Sequence, residues 1–499
     1  MNNFKNNFLI LISVFILLGT VFFILEKTRY VTIIDSDILW HIKTGEWIIE
    51  HKQIPKKDVF SWHDNLNWMP HEWLYDVILS ISYNIIGIKA IPFIAMILLI
   101  IRIGFVSLYN IVIKKENIFA YSIFVPILLI SEGYTWAVGR PLELTIILLL
   151  INLLTFIKNR KEIYYYISFG ISCFLIANLH GGTIQAIFAQ MFIFIGIDII
   201  YYLRNKTIEN KKNIIIKIKT IIIGFIFSLL NPQGLQIYNY AFKMLFTNAS
   251  KATNSIAEWQ PLQFIGVLGA LLFLLILCSF AFCKKNKELD KEVVTKIIII
   301  SFWAIAMLRY CRCTPIFLFV VLLWGYEFIK DFIELIVNEF HMQKLFLVFK
   351  YIVFFFSLIY IILTLVMFIK WINFYFKHTN EEIISTGYSY DAINYFKENN
   401  IKTKIFNDDW GCWLLFNDIP TFVDGRCDPF VNEFSPGNNQ FIEVANAEKL
   451  EDYLAIFKKY DIEYIYMKKD EDLCTLFEST GNWKKILLED RTMLLKRVN

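Results

Sequence analysis

Charged residues are scarce in this chain: only 19% of its 499 residues are Asp, Glu, Lys or Arg, against about 25% in ordinary soluble domains. No basic or acidic tail stands out that could bind nucleic acid, since 49 Lys and Arg residues nearly balance 45 Asp and Glu residues. Internal repeats and low-complexity tracts are lacking, and the eight Cys residues show no paired spacing. These absences exclude a nucleic-acid-binding tail, a disulfide framework and a Cys-ligated zinc site.

Apolar residues, in contrast, make up 57% of the chain and give a mean hydropathy of +0.50. One soluble globule has too little interior to bury that much apolar surface. A helix crosses a bilayer with roughly 20 apolar residues, and about eleven runs approach that length. They lie near residues 8–25, 90–113, 117–131, 142–157, 163–179, 183–203, 213–230, 262–283, 292–308, 314–329 and 345–369. The sequence therefore predicts a polytopic α-helical membrane protein. Its first run lacks a small-residue cleavage site and is expected to stay as an uncleaved span.

Lysine-rich segments alternate between these runs, and the positive-inside rule places them in the cytoplasm. They lie near residues 114–115, 158–161, 204–219, 284–291 and 330–344. The N-terminus is then cytoplasmic, whereas the long loop 26–89 and everything after about residue 370 lie outside. Within that loop, residues 73–86 are expected to form an amphipathic helix in the membrane interface. The predicted location is the cytoplasmic membrane, crossed many times.

The composition changes near residue 380, which divides the chain into a membrane domain, 1–379, and an extracytoplasmic domain, 380–499. Helices are expected near 390–398, 447–459 and 473–478, and strands near 404–406, 421–423, 462–467, 485–488 and 493–496. This alternation favours a small α/β domain with a central sheet.

Uncommon polar residues near the predicted membrane boundaries collect on the outer side. They are Asp35, Asp37, His41, His71, Glu72, Arg140, Glu143, His180, Asn231, Glu258, Arg309 and Arg312. Each alone fits an ordinary interfacial residue, and Glu72 also suits a helix start. Because ionisable groups at membrane depth are costly and tend to face a cavity or one another, the one-sided set predicts a single polar cavity.

The residue types in this set indicate group transfer from a phosphorylated lipid. Asp35 and Asp37 could hold a divalent cation, the only cofactor suggested, or supply a general base, although a bare Asp-x-Asp is usually a solvated turn. Arginines are the natural clamp for phosphate, with snorkelling to lipid headgroups as the alternative. Since nucleotide sugars are not available outside the cytoplasm, an enzyme there draws on a lipid-linked donor.

Several motifs carry a resemblance to a known superfamily. They are residues 35–48, opening Asp35-Ser36-Asp37-Ile38-Leu39-Trp40-His41, residues 54–61, His71-Glu72-Trp73-Leu74, residues 139–141, 177–182, 230–234, 256–259, 309–315 and 406–414, and Val423-Asp424-Gly425-Arg426-Cys427-Asp428. The chain resembles bacterial integral membrane proteins grouped with the GT-C superfamily of lipid-donor glycosyltransferases, alongside protein mannosyltransferase and aminoarabinose transferase relatives. His71-Glu72 stands where better-known relatives carry a His-Pro-Pro-like stretch.

The resemblance implies that an acidic residue of the first outer loop, Asp35 or Asp37, is the catalytic base. It implies, by location, that the donor phosphate meets Arg140, His180, Arg309 and Arg312. The predicted function is transfer of a sugar from a polyprenyl-phosphate-linked donor to an envelope glycan, lipid or protein.

The predicted outer domain carries further candidates. Asp424 and Arg426 could bind the acceptor or close over the cavity, or they could form a salt-bridged loop. Cys412 and Cys427 could pair on an oxidising side. Trp410 and Trp413 are core residues or a sugar-stacking platform, with the core favoured.

Two other functions remain compatible with the sequence. A transporter or flippase for a lipid-linked anionic substrate would need polar residues deep in several spans and reachable from both sides. A structural envelope protein would act through its outer domain alone.

Overall fold

The computed structural model describes residues 2–130, 139–158, 160–246, 256–262, 264–283, 290–408, 411–489 and 491–498. Its α-helices are α1 (Asn2–Ile34), α2 (Ser36–His51), α3 (Trp73–Ile86), α4 (Ala90–Leu108), α5 (Ile118–Ile130), α6 (Leu142–Phe156), α7 (Glu162–Leu179), α8 (Ile184–Arg204), α9 (Ile208–Ser228), α10 (Gln236–Phe246), α11 (Phe264–Cys283), α12 (Lys291–Arg309), α13 (Thr314–Val320), α14 (Tyr326–Glu339), α15 (Gln343–Lys377), α16 (Asn380–Ser385), α17 (Asp391–Glu398), α18 (Gly411–Phe416), α19 (Gln440–Ala445), α20 (Leu450–Lys459) and α21 (Glu471–Ser479).

The described residues of the predicted apolar runs are largely helical; the run 90–113 continues from α4 into a π-helical turn, and the run 314–329 covers α13, a second π-helical turn and the start of α14. Among the described residues, five helical segments are long and apolar enough to cross a membrane: Asn7–Arg29, Trp73–Ile113, Glu162–Leu179, Gly181–Arg204 and Gln343–Lys377. Two shorter apolar helices, Ile118–Leu129 and Leu142–Phe156, accompany them. The chain is therefore a multi-pass membrane protein, and the number of about eleven spans stays a prediction.

Helix α15 shows which of the chain's many apolar side chains are buried and which face outward. It buries only Ser357, Thr364, Trp371 and Tyr375, while the rest of its apolar surface is open in the isolated chain. The small residue Gly19 of α1 lets the two helices approach closely, because a Cβ there would collide with Thr364. A helix that is apolar all round and packs along one stripe is suited to lipid on its other faces.

Two π-helical turns, Tyr109–Ile113 after α4 and Val321–Gly325 between α13 and α14, lie beside each other in the bundle. Asn110 donates its side-chain amide to the carbonyls of Leu322 and Leu323 at 3.0 and 3.3 Å, and the Tyr121 hydroxyl donates to Leu322 at 3.0 Å. Side chains thus satisfy carbonyl groups that a π turn releases from the helical pattern.

The C-terminal part of the chain forms a four-stranded sheet. Its strands are β1 (Ile405–Asn407), β2 (Tyr464–Lys468), β3 (Trp483–Leu488) and β4 (Thr492–Arg497), in the order β1-β2-β4-β3. The β1/β2 pair is parallel, and the β2/β4 and β3/β4 pairs are antiparallel. Helices α17, α20 and α21 match the predicted ones, and the sheet confirms four of the five predicted strands.

The prediction of a strand at residues 421–423 is wrong. Thr421 instead makes a single bridge to the loop between α2 and α3: its N–H donates to the Phe60 carbonyl at 3.1 Å, and its carbonyl accepts from the N–H of Trp62 at 3.2 Å. The backbone that would have extended the sheet is used to attach the C-terminal part to this loop.

Candidate active site

A cavity of about 1040 Å³ lies where several helix ends meet. The α1/α2 junction, the start of α6, the α7/α8 turn and the α12/α13 turn contribute polar side chains. Phe302, Trp303, Leu142 and Ile316 supply apolar walls from the helices themselves. The turn at residues 423–427 covers part of it. The cavity thus joins ionisable groups to an apolar helical surface.

Asp35 and Asp37, two residues apart in the sequence, have different surroundings. Asp35 is the N-cap of α2, and Arg140 grips both its oxygens, with Nε at 2.8 Å and Nη2 at 2.6 Å. Asp37 meets Arg140 through one oxygen, at 3.0 Å from Nη2. The side chain of Asp35 is 5% exposed and that of Asp37 is 25% exposed. Asp35 is therefore an anchor for Arg140, whereas Asp37 is bound to the same guanidinium through one oxygen and is the more exposed of the two.

Glu258 completes this charged group from a distant segment. Its Oε2 accepts from Arg140 Nη1 at 3.1 Å, and its Oε1 lies 3.6 Å from Arg312 Nη1. The Arg312 guanidinium is held over the Trp259 ring at 4.4 Å. The carboxylates of Asp35, Asp37 and Glu258 thus share the positive charge of two arginines.

Because the arginine charges are shared unevenly, the pKa values of Asp37 and Glu258 shift in opposite directions. Burial raises the pKa of Asp37 to about 7; the Arg140 charge opposes the rise, and the charges of Asp35 and Glu258 add to it. Burial also acts to raise the pKa of Glu258, but Arg312 and Arg140 outweigh it and leave that pKa below its usual range. Of Asp37 and Glu258, Asp37 is therefore the one whose pKa lies near neutral.

Next to this group, three histidines surround Glu72. The distances from its carboxyl oxygens to the Nε2 atoms are 3.3 Å for His180, 3.4 Å for His41 and 3.8 Å for His71. His41 Nδ1 is bonded to Asp76 at 2.5 Å, and His180 Nδ1 is bonded to the Thr145 hydroxyl at 2.9 Å. These second bonds fix the rings so that their Nε2 atoms face Glu72.

Burial decides the protonation of this cluster. It raises the pKa of Glu72 to about 8 and lowers that of His71 to about 4. Burial also lowers the pKa values of His41 and His180, and the nearby Arg140 or Arg312 charges add to the effect. At neutral pH the cluster therefore consists of a protonated Glu72 among neutral imidazoles, so it can hold or pass a proton.

The predicted candidates in the C-terminal part are engaged in a buried salt bridge. Arg426 is bonded to Asp424 at 2.7 Å and to Asp58 of the α2–α3 loop at 2.5 Å, and these carboxylates are fully buried. The guanidinium also lies over the Trp68 ring at 4.5 Å. Of the two readings for Asp424 and Arg426, this geometry favours the salt-bridged loop.

The same turn comes close to Asp37. A Cβ on Gly425 would collide with the Asp37 carboxyl group and press on Cys412 Sγ, so glycine is required for this approach. The thiols of Cys412 and Cys427 are free, and Cys412 Sγ accepts from the Gly425 N–H at 3.1 Å instead of forming a disulfide. Trp413 is a core residue stacked on Tyr388, whereas Trp410 lies outside the described residues.

Most of the predicted site residues gather in the cavity, and one does not. Asp35, Asp37, His41, His71, Glu72, Arg140, His180, Glu258 and Arg312 all line it, as do Asp424 and Arg426. Arg309 instead has an exposed guanidinium over the Tyr310 ring at 4.8 Å, outside the lining of the cavity. It sits at the last position of α12, before the Cys311–Cys313 turn carries Arg312 inward.

Sequence reasoning assigned no partner to several buried ionisable residues. Glu143 lines the cavity and forms an ion pair with Arg102 of α4, and both side chains are buried. The sequence did not indicate Asp58 as a site residue, although its carboxylate forms an ion pair with Arg426. Asp198 is held by Lys217 at 2.5 Å and Lys291 at 2.7 Å. The only signal for Glu143 and Asp198 was an acidic residue within an apolar run.

The Asp35/Asp37 pair does not fit a metal ion in this arrangement. The Arg140 guanidinium occupies the position between the two carboxylates that a divalent cation would take. Among the described ranges, no group of three or more His, Cys, Asp and Glu side chains is arranged to hold a metal.

This fold is found in an oligosaccharyltransferase of known structure. The chain is similar to the Archaeoglobus fulgidus oligosaccharyltransferase tethered to an acceptor peptide containing the NVT sequon, with a TM-score of 0.57, 13% identity and coverage of 94% of this chain and 70% of that one. The apo form of that enzyme gives a TM-score of 0.52 at 12% identity, covering 93% and 70%. The chain thus shares its fold with this oligosaccharyltransferase.

That likeness concerns the fold alone. No protein-family model matches the chain, and no curated protein matches it.

Proposed function

We propose that this chain is a membrane glycosyltransferase that moves a sugar from a polyprenyl-phosphate-linked donor to an acceptor of the cell envelope. The observation that carries the proposal is the composition of the cavity, where a carboxylate of raised pKa and a cavity-facing arginine adjoin apolar helical walls. Such a cavity suits a ligand with a lipid tail, a phosphate and a sugar. The similarity of the fold to an oligosaccharyltransferase supports the same class of reaction.

In the proposed reaction Asp37 is the general base. An acceptor hydroxyl attacks the anomeric carbon of the donor sugar and gives its proton to the carboxylate of Asp37. The bond between that carbon and the phosphate oxygen breaks, and the lipid phosphate leaves with the electron pair. Arg312 contacts Glu258 through one nitrogen at 3.6 Å, so the remaining donors of its guanidinium can stabilise the leaving phosphate.

The orientation of the chain in the membrane is part of the same proposal. The cavity opens at the outer face of the cytoplasmic membrane, where a flipped lipid-linked donor is available, and the C-terminal part lies on that side. Residues 1–379 form the membrane domain and 380–499 the outer domain.

The test compares cells with and without the gene by mass spectrometry of envelope glycans and polyprenyl-linked intermediates. We expect a missing sugar together with accumulation of its lipid-linked donor. The wild-type chain should restore the glycan, Asp37→Asn should not, and Asp64→Asn, an exposed acid of the same loop, should restore it fully. Unchanged glycans and donors in the cells without the gene would refute the proposal.

A further inference from the structure

A second concave region lies beside the cavity, and the site described so far does not use it. This groove has a volume of about 1110 Å³ and runs between the α2–α3 loop, the start of α10 and Phe434 of the C-terminal part. Tyr240 lines both the groove and the cavity. The rings of Tyr240 and His71 are 4.3 Å apart. One layer of side chains therefore separates the groove from the histidine cluster.

The groove is positively charged. Its lining contains Lys52, Lys56, Lys57 and Lys243 but a single acidic residue, Asp428, which is buried. Lys57 donates to neutral groups, the Asn65 carbonyl at 3.2 Å and the Asn67 side-chain oxygen at 2.7 Å. The ion pairs of the described residues include none for Lys52, Lys56 or Lys57. Their charge is thus left for an anionic ligand.

The other lining groups have the chemistry of a carbohydrate site. Gln53, Gln233, Gln236 and Asn239 offer amides that both donate and accept hydrogen bonds, as sugar hydroxyls do. Trp73 and Tyr240 add aromatic surface, and aromatic rings with a polar tip suit a ligand that is partly apolar and partly wet. Trp73 is fixed in place by its bond to Asn178 at 3.0 Å.

We propose that this groove binds the acceptor, and that the acceptor is an acidic carbohydrate chain whose carboxylate or phosphate groups meet Lys52, Lys56 and Lys57. This inference rests on the proposed function: the groove adjoins the cavity at Tyr240, whose ring contacts His71, so a bound chain lies beside the cavity that contains Asp37.

Binding to the purified full-length protein in detergent tests the groove without requiring turnover. The probe is a fluorescent tetrasaccharide of galacturonic acid, and a neutral tetrasaccharide of glucose serves as the comparison. The triple variant Lys52→Gln, Lys56→Gln, Lys57→Gln removes the charge. A matched triple variant, Lys397→Gln, Lys402→Gln, Lys458→Gln, removes three exposed lysines elsewhere.

We expect the acidic probe to bind more tightly than the neutral one and to weaken as salt is raised. The groove variant should lose about tenfold in affinity, the size expected for several exposed charge contacts together, and the matched variant should bind as the wild type does. Equal binding of both probes, or equal loss in both triple variants, would overturn the proposal. Displacement of the acidic probe by phosphatidylglycerol vesicles, without displacement by unlabelled acidic tetrasaccharide, would also overturn the proposal, because the lysines would then bind lipid headgroups.

The outcome is separable from that of the proposed function. Asp37→Asn should bind the acidic probe normally while transferring no sugar. If the protein transfers sugar but does not bind the acidic probe, only the assignment of the groove is refuted. If the protein binds the probe but cells without the gene have unchanged glycans, only the proposed reaction is refuted.

Discussion

At the scale of single residues, the two carboxylates that the sequence left equivalent have different roles. Asp35 is held through both oxygens by Arg140 and caps α2, so it positions the arginine. Asp37 is more exposed and makes a single contact with the same guanidinium. The geometry therefore favours Asp37 as the group that meets the substrate.

Substitution separates these roles. Asp37→Asn should lower the turnover of sugar transfer by about 10²–10⁴-fold, the usual contribution of a general base, with little change in KM. Asp35→Asn should disturb the position of Arg140 and affect both KM and kcat. Transfer assays on purified protein measure this, with equal membrane insertion as the control. Full turnover in Asp37→Asn would contradict the assignment.

The raised pKa of Asp37 predicts the pH dependence of transfer. A base works only as the carboxylate, so the rate should fall as the pH drops below about 7. Because the Glu258 charge contributes to raising that pKa, Glu258→Gln should move this limb of the profile to lower pH. Glu50→Gln, at an exposed position of α2, should leave it in place. A profile without an acid limb would count against Asp37.

At the scale of structural elements, the turn at residues 423–427 is attached to the α2–α3 loop by one buried arginine. Arg426 balances Asp58 and Asp424, and its guanidinium lies over Trp68. The turn then brings Gly425 against Asp37. The same bridge thus fixes the position of the turn that covers the cavity and of the backbone that packs against Asp37.

Loss of this bridge should destabilise the protein strongly. Arg426→Met leaves two buried carboxylates without a counter-charge, which costs about 3–5 kcal/mol. Lys404→Met removes a bridge of similar length to Asp461 and Glu463 that is open to solvent, so it should lower the Tm far less, because exposed ion pairs contribute little to stability. Thermal unfolding in detergent compares the two variants. Similar Tm values would show that the buried bridge contributes little.

At the scale of the whole molecule, an apolar helical bundle carries a charged cavity at the junction of its helix ends. Helix α15 leaves much of its apolar surface exposed, which suits contact with lipid. Away from the cavity, Asp198 is closed into ion pairs with Lys217 and Lys291.

The predicted span number has a consequence for the two termini. An odd number of crossings, such as eleven, puts the two termini on opposite sides of the membrane, so a cytoplasmic N-terminus places the C-terminal part outside. Alkaline phosphatase fused to the C-terminus of the full chain should then be active, and green fluorescent protein should fluoresce at the N-terminus but not at the C-terminus. Fluorescence at both ends would mean an even number of spans and would place the C-terminal part in the cytoplasm, against the proposal.

The sequence by itself determined where the helices form, because a long apolar run is a local property that no distant residue needs to complete. It also identified most of the acidic residues, histidines and arginines of the cavity, since scarce ionisable groups next to such runs stand out. For the C-terminal part, local pattern located the hairpin β3–β4 and strand β2.

Only the tertiary structure decided how these groups are paired. Arg140 and Glu258 are 118 positions apart, and Asp58 and Arg426 are 368 positions apart. No local pattern encodes such contacts, because they depend on which helix ends and loops meet. The division of roles between Asp35 and Asp37, and the inward course of Arg312 but not Arg309, follow from that meeting. The sequence alone shows that charged residues are few, whereas the fold determines which of these charges neutralise one another.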